Sequence, residues 1–325
     1  MTSSQLAVLN AGQGDCIMVH EPESRTAVVI DCPWQARNRP IELLDTGEVE
    51  RLAAIIVTHL HDDHYGGVAH LLDRVTPDAL FCGLTQSYLT RHPDAQTFIK
   101  HLAAAAERGA SFDFAEDGHT IAFGDVVLDI VGPTSFETLK AQRASNPNHA
   151  SAIVRAHVGE FVALLGGDAP PWRWRALIDR GFDLRADVLV MPHHGGRFRH
   201  SKIDLSALLL AVEPRVVVTS VGSRNNYKHP HGSTLATLRG WALYSGARVI
   251  CTQLNDICRI GGQVAGRGAP DVPCAGDVLI DYADGDLRVT TGLVGHRAFV
   301  SGLPESRWRG SLADPHCAPL DVGTP

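Results

Sequence analysis

Residues 58–67 read Thr-His-Leu-His-Asp-Asp-His-Tyr-Gly-Gly and follow the unbroken apolar run 52–57. The run reads as a buried strand. Three histidines and an aspartate therefore stand where that strand ends and the next loop and helix begin, the place where open α/β sheets put their sites. Imidazole nitrogen together with carboxylate oxygen suits Zn²⁺, Mn²⁺ or Fe²⁺. His59 and His61 flank Leu60, so on extended chain they point to one side. Asp63 and His64 lie past the bend and can face a second ion.

Two further strands end in the same kind of residue. Residues 161–168 are an apolar run closing on Gly166-Gly167-Asp168, whose glycines allow close backbone approach. Residues 186–196 run from Ala186 through an apolar stretch to Pro192-His193-His194-Gly195-Gly196. Taken singly, Asp168 could close a turn and the paired histidines could end a strand. Three strands ending in metal-ligand residue types point to a dinuclear centre.

With these segments in view, the chain resembles the metallo-β-lactamase fold superfamily over roughly residues 5 to 255, and most closely its competence-protein (ComEC-like) branch. The branch motifs stand here as Gly12-Gln13-Gly14-Asp15 after the first strand and a second strand ending at Asp31. They close with Ser220-Val221-Gly222 followed by Asn225-Asn226-Tyr227-Lys228-His229-Pro230. The chain departs from the branch at Asn10, where Asp is usual, at Gly196, where Ser is frequent, and at Lys228, where Gly is common.

The resemblance implies a four-layer αββα sandwich and two divalent ions, Zn²⁺ or Mn²⁺, that activate water for hydrolysis. It places one ion on His59, His61 and His149 and the other on Asp63, His64 and His194, with Asp168 between them. His149 is nominated because it precedes a strand 19 residues before Asp168, where the wider superfamily carries its third histidine. His194 is preferred because it directly precedes glycine, and His193 stays open as its alternative. Asp63 and Asp168 carry catalysis through the ions. His229 is expected to bind phosphate, to donate a proton to the leaving group, or to support a ligand. Asn225, Tyr227 and Lys228 are substrate-contact candidates, and Asp31 is expected to orient a ligand imidazole.

The bulk properties narrow the function classes. A net charge of −7 gives no global basic field for nucleic acid, so a phosphodiester substrate needs the ions and a local patch. Arg197, Arg199, Arg224 and Lys228 are near enough in sequence to form one. Three classes result: a metal-dependent phosphodiesterase or nuclease, which the late His-Pro motif favours; a small-molecule ester, lactone or thioester hydrolase; and a non-catalytic or partner-dependent subunit. No apolar run reaches the ~20 residues that span a bilayer. With no basic, apolar leader at the start, a cytoplasmic location without membrane contact is expected.

Interleaved strand and helix patterns predict a hydrolase domain over 1–250 and a C-terminal extension over 251–325 packed on it. Helices are expected near 93–108, 172–180, 203–211 and 234–245, and hairpins near 5–32, 118–132 and 277–294. The extension holds Cys251, Cys258, Cys274 and Cys317. These are candidates for a structural Zn²⁺, although the paired Cys-x-x-Cys spacing is missing; the alternative is buried thiols.

Overall fold

The structure is a computed structural model, and it describes residues 3–143, 146–200, 202–223, 225–254, 259–260, 263–264 and 274–292. Along the chain the first strands are β1 (Gln5–Val8), β2 (Ile17–Glu21) and β3 (Thr26–Ile30). Helix α1 (Arg39–Asp45) leads to β4 (Arg51–Val57), followed by the short helices α2 (Asp62–Tyr65) and α3 (Val68–Leu72). Next come β5 (Ala79–Cys82), α4 (Gln86–Leu89), α5 (Pro93–Glu107), β6 (Ser111–Phe114), β7 (Thr120–Phe123) and β8 (Val126–Gly132). Helix α6 (Ser135–Ala141) precedes β9 (Ile153–Val158), β10 (Phe161–Leu165), α7 (Pro171–Asp179) and β11 (Val188–Val190). A two-residue ribbon, β12 (Arg199–His200) with β13 (Ile203–Asp204), opens α8 (Leu205–Val212). The chain continues through β14 (Val216–Thr219), α9 (Gly232–Ser245) and β15 (Arg248–Cys251). A second ribbon, β16 (Arg259–Ile260) with β17 (Gln263–Val264), precedes β18 (Val278–Ala283) and β19 (Asp286–Thr291).

Two large sheets result. The first has the order β19-β18-β1-β2-β3-β4-β5-β6 and the second β15-β14-β11-β10-β9-β8-β7. Their inner faces share one apolar core, which joins Val8, Ile56 and Ile280 to Leu128, Leu165 and Val190. The outer face of the first sheet packs on α3 and α5 through Ile55, Val57, Leu71 and Phe98. The outer face of the second packs on α7, α8 and α9 through Trp174, Leu208 and Leu238. The period of two is visible in β4, where Ala54 and Ile56 face the other sheet while Ile55 and Val57 face the helices. Burial on both faces explains why the central strands read as continuous apolar runs. The αββα sandwich is as expected.

The boundary at 250 falls inside a strand. It cuts β15, and the described part of the extension returns to the first sheet, where β18 pairs antiparallel with β1. The hairpin β18–β19, with its turn at Asp284 and Gly285, is part of that sheet. The pairing joins residues some 270 positions apart in sequence, which no local pattern announces. Cys251 and Cys274 are buried. Cys258 and Cys317 lie outside the described residues, and among the described residues no cysteine belongs to a ligand cluster.

Candidate metal centre

Strand β4 is parallel to both neighbours, β3 and β5, and its carboxyl end delivers Thr58 and His59 directly into the interior. Helix α2 then turns His64 back under the same strand. Gly83, beyond β5, lets this end be close-packed: a Cβ there would stand 2.0 Å from the Thr58 carbonyl oxygen. From the second sheet, the Gly166-Gly167 turn brings Asp168 in. Gly167 has φ +46°, and a Cβ on it would meet Ser151 Oγ at 2.6 Å. Ser151 Oγ accepts from the Asp168 amide at 2.9 Å. His193 and His194 follow β11 in consecutive left-handed conformations, φ 54° and 51°. Such geometry is costly outside glycine and gathers at functional sites.

The hydrogen bonds fix which ring nitrogens are bare. Asp31, fully buried, accepts from the Thr58 amide at 2.7 Å, from Thr58 Oγ1 at 2.6 Å and from His64 Nδ1 at 2.7 Å. His64 therefore keeps a proton on Nδ1, which leaves Nε2 as the nitrogen that can be given to an ion. Thr58 has spent its only proton on Asp31, so the 3.1 Å contact with His59 Nδ1 has the histidine donating. His59 Nε2 is bare as well. His194 Nδ1 donates to the Ser220 carbonyl at 3.0 Å, which bares its Nε2 too.

These three Nε2 atoms face a single carboxylate. Asp168 Oδ1 lies 3.3 Å from His64 Nε2 and 3.4 Å from His194 Nε2, and Oδ2 lies 3.6 Å from His59 Nε2. His64 Nε2 and His194 Nε2 are only 3.2 Å apart, so an ion between them would take the place of the proton they can share. Asp168 Oδ1 is buried and accepts no hydrogen bond from the described residues. Bare nitrogens and an orphaned carboxylate oxygen fit divalent cations. Among the described residues three groups have donor atoms within 4.8 Å of one another: His59, His64 and Asp168; Asp63, His64 and His194; and, behind His64, Asp15, Asp31 and His64. His61 Nδ1 adds to the first side, 3.0 Å from His59 Nε2.

The same crowding moves the titrations. Burial, followed by the His64 charge, pushes His59 well below the ordinary histidine value. Burial also opposes charge on His64, but Asp31 and Asp168 outweigh it and hold that ring well above the ordinary value. Asp168 is held well below the carboxylate range: burial works against this, and the His64 and His194 charges overcome it. Asp15, behind His194 at 3.6 Å, is raised to about 6, chiefly by burial.

His149 does not join the cluster. Its ring packs edge-on against Trp172, its charge environment is set by burial and Arg173, and its carbonyl accepts from Arg173 Nη2 at 2.6 Å. Its neighbour Asn148 turns inward instead, 5% exposed, with Oδ1 accepting nothing among the described residues. In a 3₁₀ turn, adjacent side chains point in different directions, so sequence spacing alone could not choose between them. Of the paired histidines, His194 is buried in the cluster, whereas His193 stands at its mouth with 46% of its side chain exposed.

The late motif divides its work. Asn225 braces the loop: its side-chain amide donates to the His229 carbonyl at 2.7 Å and its Oδ1 accepts from the His229 amide at 2.7 Å. His229 and Tyr227 line the cleft above the cluster, while Lys228 does not. Burial, then the His193 and His194 charges, lower His229 to about 4, so at neutral pH it is an uncharged ring and not a ready acid. The basic patch expected near the ligands does not line the cleft either: among the described residues the lining contains no Lys or Arg. Arg224 lies outside the described residues.

Sequence reasoning passed over Thr58, the relay between Asp31 and His59, and the inward Asn148. It also passed over Trp34 and Tyr88, which line the same ~690 Å³ cleft as His61 and Asp63. Thr58 and Asn148 each sit beside a nominated histidine, which was the available signal.

The family model for the metallo-beta-lactamase superfamily matches residues 9–196. The chain belongs to that superfamily, whose members use divalent metals and are in general hydrolytic. It is 24% identical over 271 residues to ComE operon protein 3 of Bacillus subtilis (strain 168), covering 78% of this chain and 32% of that protein. It is also 24% identical over 266 residues to competence protein ComA of Neisseria gonorrhoeae, covering 81% and 32%. Both matches agree with the competence-protein branch, and the chain spans about a third of the length of these curated relatives. Among solved structures, the metallo-beta-lactamase fold protein YhfI from Bacillus subtilis matches with a TM-score of 0.45 and 10% identity, covering 76% of this chain and 96% of that one. No described helix is long and apolar enough to cross a membrane.

Proposed function

We propose that the protein is a metal-dependent phosphodiesterase or nuclease using two divalent ions, Zn²⁺ or Mn²⁺. The observation that carries the two-ion reading is Asp168. Its two oxygens face different histidines, Oδ2 toward His59 and Oδ1 toward His64 and His194. His59 and His61 would hold one ion, Asp63, His64 and His194 the other, with Asp168 between them. A two-ion centre of this kind lowers the pKa of water and stabilises charge on the oxygens of an in-line displacement.

The protein's own residues prepare that chemistry. Asp31 and Ser220 hold the imidazoles with Nε2 bare. His229, neutral at pH 7, offers a hydrogen bond to a substrate oxygen rather than a proton. Trp34 (54% exposed) and Tyr227 (69% exposed) are open aromatic rings on the cleft wall. The Arg37 guanidinium lies 4.0 Å over the Trp34 ring and His229 is stacked near Tyr227, which backs each ring against the protein. Rings of this kind suit nucleobases. Similarity to two competence proteins favours the same substrate class. A second reading, an ester, lactone or thioester hydrolase, is favoured by a cleft lining that, among the described residues, contains aspartates but neither Lys nor Arg.

A substrate panel separates the two. Thymidine 5′-(p-nitrophenyl phosphate), bis-p-nitrophenyl phosphate and single- and double-stranded DNA and RNA are compared with lactones and thioesters, with added Mn²⁺ or Zn²⁺. Cleavage of phosphodiesters by wild type and not by Asp168→Ala is expected. Turnover confined to lactones or thioesters would replace the first reading by the second. Metals bound without any hydrolysis would leave a partner-dependent subunit.

A further inference from the structure

We infer that His193, supported by Asn148, completes the ligand set of the ion held by His59 and His61, in the place nominated for His149. The inference rests on the two-ion reading above. His193 Nε2 lies 3.5 Å from Asp168 Oδ2, the same oxygen that faces His59 Nε2 at 3.6 Å. His194 serves the other oxygen. The paired histidines thus divide between the two faces of one carboxylate.

The backbone explains how adjacent residues manage this. Two consecutive left-handed residues, at φ 54° and 51°, swing the two rings to opposite sides of Asp168. The His193 amide donates to the Gly167 carbonyl at 2.8 Å, which ties this turn to the one that delivers Asp168. Left-handed conformations in non-glycine residues persist where the surroundings enforce them, and they gather at working sites.

Asn148 supplies the support through its oxygen. Its Nδ2 stands 3.5 Å from His193 Nε2, a contact that an ion on that nitrogen would replace, and its Oδ1 is buried with no partner among the described residues. A buried amide oxygen left unsatisfied is unusual. It is accounted for when Asn148 faces a cation's coordination sphere beside His193. His149, turned toward Trp172 and braced by Arg173 through its carbonyl, has no such position.

The test is metal content by mass spectrometry after dialysis against Zn²⁺ or Mn²⁺, with affinity from chelator competition. His193→Gly removes the imidazole while accepting the left-handed backbone, and His193→Ala repeats the loss without added flexibility. Circular dichroism and thermal unfolding confirm that each variant folds. Wild type and His149→Ala are expected to retain two ions. Both His193 variants should lose one ion or bind it at least tenfold more weakly, and Asn148→Ala should weaken the same ion. Two ions at unchanged affinity in both His193 variants would overturn the inference and leave the two-ion reading standing. Loss of an ion from His149→Ala alone would restore the original nomination. Fewer than two ions in wild type would overturn the two-ion reading itself, and the inference with it.

Discussion

Asp31→Asn is the sharpest perturbation the site allows. Asp31 contacts no ion in the proposed arrangement, yet it sets the tautomers of two ligands through three accepted hydrogen bonds. Asparagine is nearly isosteric but has one acceptor oxygen and one donor nitrogen. The Thr58 amide can only donate, so it claims the oxygen. The new NH₂ then faces Thr58 Oγ1 and His64 Nδ1. Donation to His64 Nδ1 moves that ring's proton to Nε2, onto the atom meant for metal. Donation to Thr58 Oγ1 releases the hydroxyl proton toward His59 Nδ1, and His59 flips in the same way.

Loss of a supporting hydrogen bond of this kind costs about 10–100-fold in metal affinity. Here one ligand on each ion is disturbed, so each ion should weaken by that factor, roughly 1.4–2.8 kcal/mol apiece. Chelator competition measures both constants. Thr58→Val cuts only the branch to His59 and should weaken one ion while sparing the other. Thr58→Ser keeps the hydroxyl and should match wild type. Wild-type affinity for both ions in Asp31→Asn would refute the relay and the tautomer assignment with it.

Three other outcomes are expected. Replacing His229 by Ala removes a neutral donor and should lower turnover about 10²-fold with metal content unchanged, whereas His229→Gln should recover part of the loss; unchanged turnover in His229→Ala would count against substrate contact. His64 in the metal-free protein is held above its ordinary value, so its stabilising charge is fully present below the unfolded pKa and is lost as pH rises through the folded one. A bound ion would displace that proton, so as pH rises above the ordinary histidine range the chelated protein should lose thermal stability relative to the loaded one, and a constant gap in Tm would contradict this. Gly83→Ala would push a Cβ into the Thr58 and Ala150 carbonyl oxygens, at 2.0 and 2.7 Å, and should destabilise by about 1–3 kcal/mol in urea titration.

Much of this architecture was legible in the sequence because strands buried on both faces announce themselves as apolar runs, and their ends carry the ligands. The positions of His59 and Asp168 follow from that rule, while His64 comes one turn later on α2. What stayed hidden depends on geometry finer than a run. Whether His149 or Asn148 turns inward is decided by a single 3₁₀ turn. The split between His193 and His194 comes from positive φ values that histidine composition does not signal. The Thr58 relay depends on where a hydroxyl proton goes, and the return of β18 to β1 depends on a distant pairing. The possible basic patch meets a related limit: among the described residues no Lys or Arg lines the cleft, because closeness in sequence to a ligand says nothing about which wall a side chain lines.

The distribution of the proposed ligands would also couple the centre to folding. His59, His61, Asp63 and His64 hang from the first sheet, Asp168, His193 and His194 from the second. The apolar core between the sheets is non-directional and would tolerate small sliding of one against the other. Ions held by both sheets would not, because ligand distances are fixed within a few tenths of an ångström. Residues 59 to 194 come together only in the folded chain, so ions on the proposed ligands would bind the native state far better than the unfolded one. At 100 times the dissociation constant each ion then adds about 2.7 kcal/mol to stability. A substitution that loosens one ligand therefore weakens the seam between the sheets as well as the chemistry. Thermal stability with saturating metal should fall in the same order as metal affinity across the Asp31, Thr58 and His193 variants.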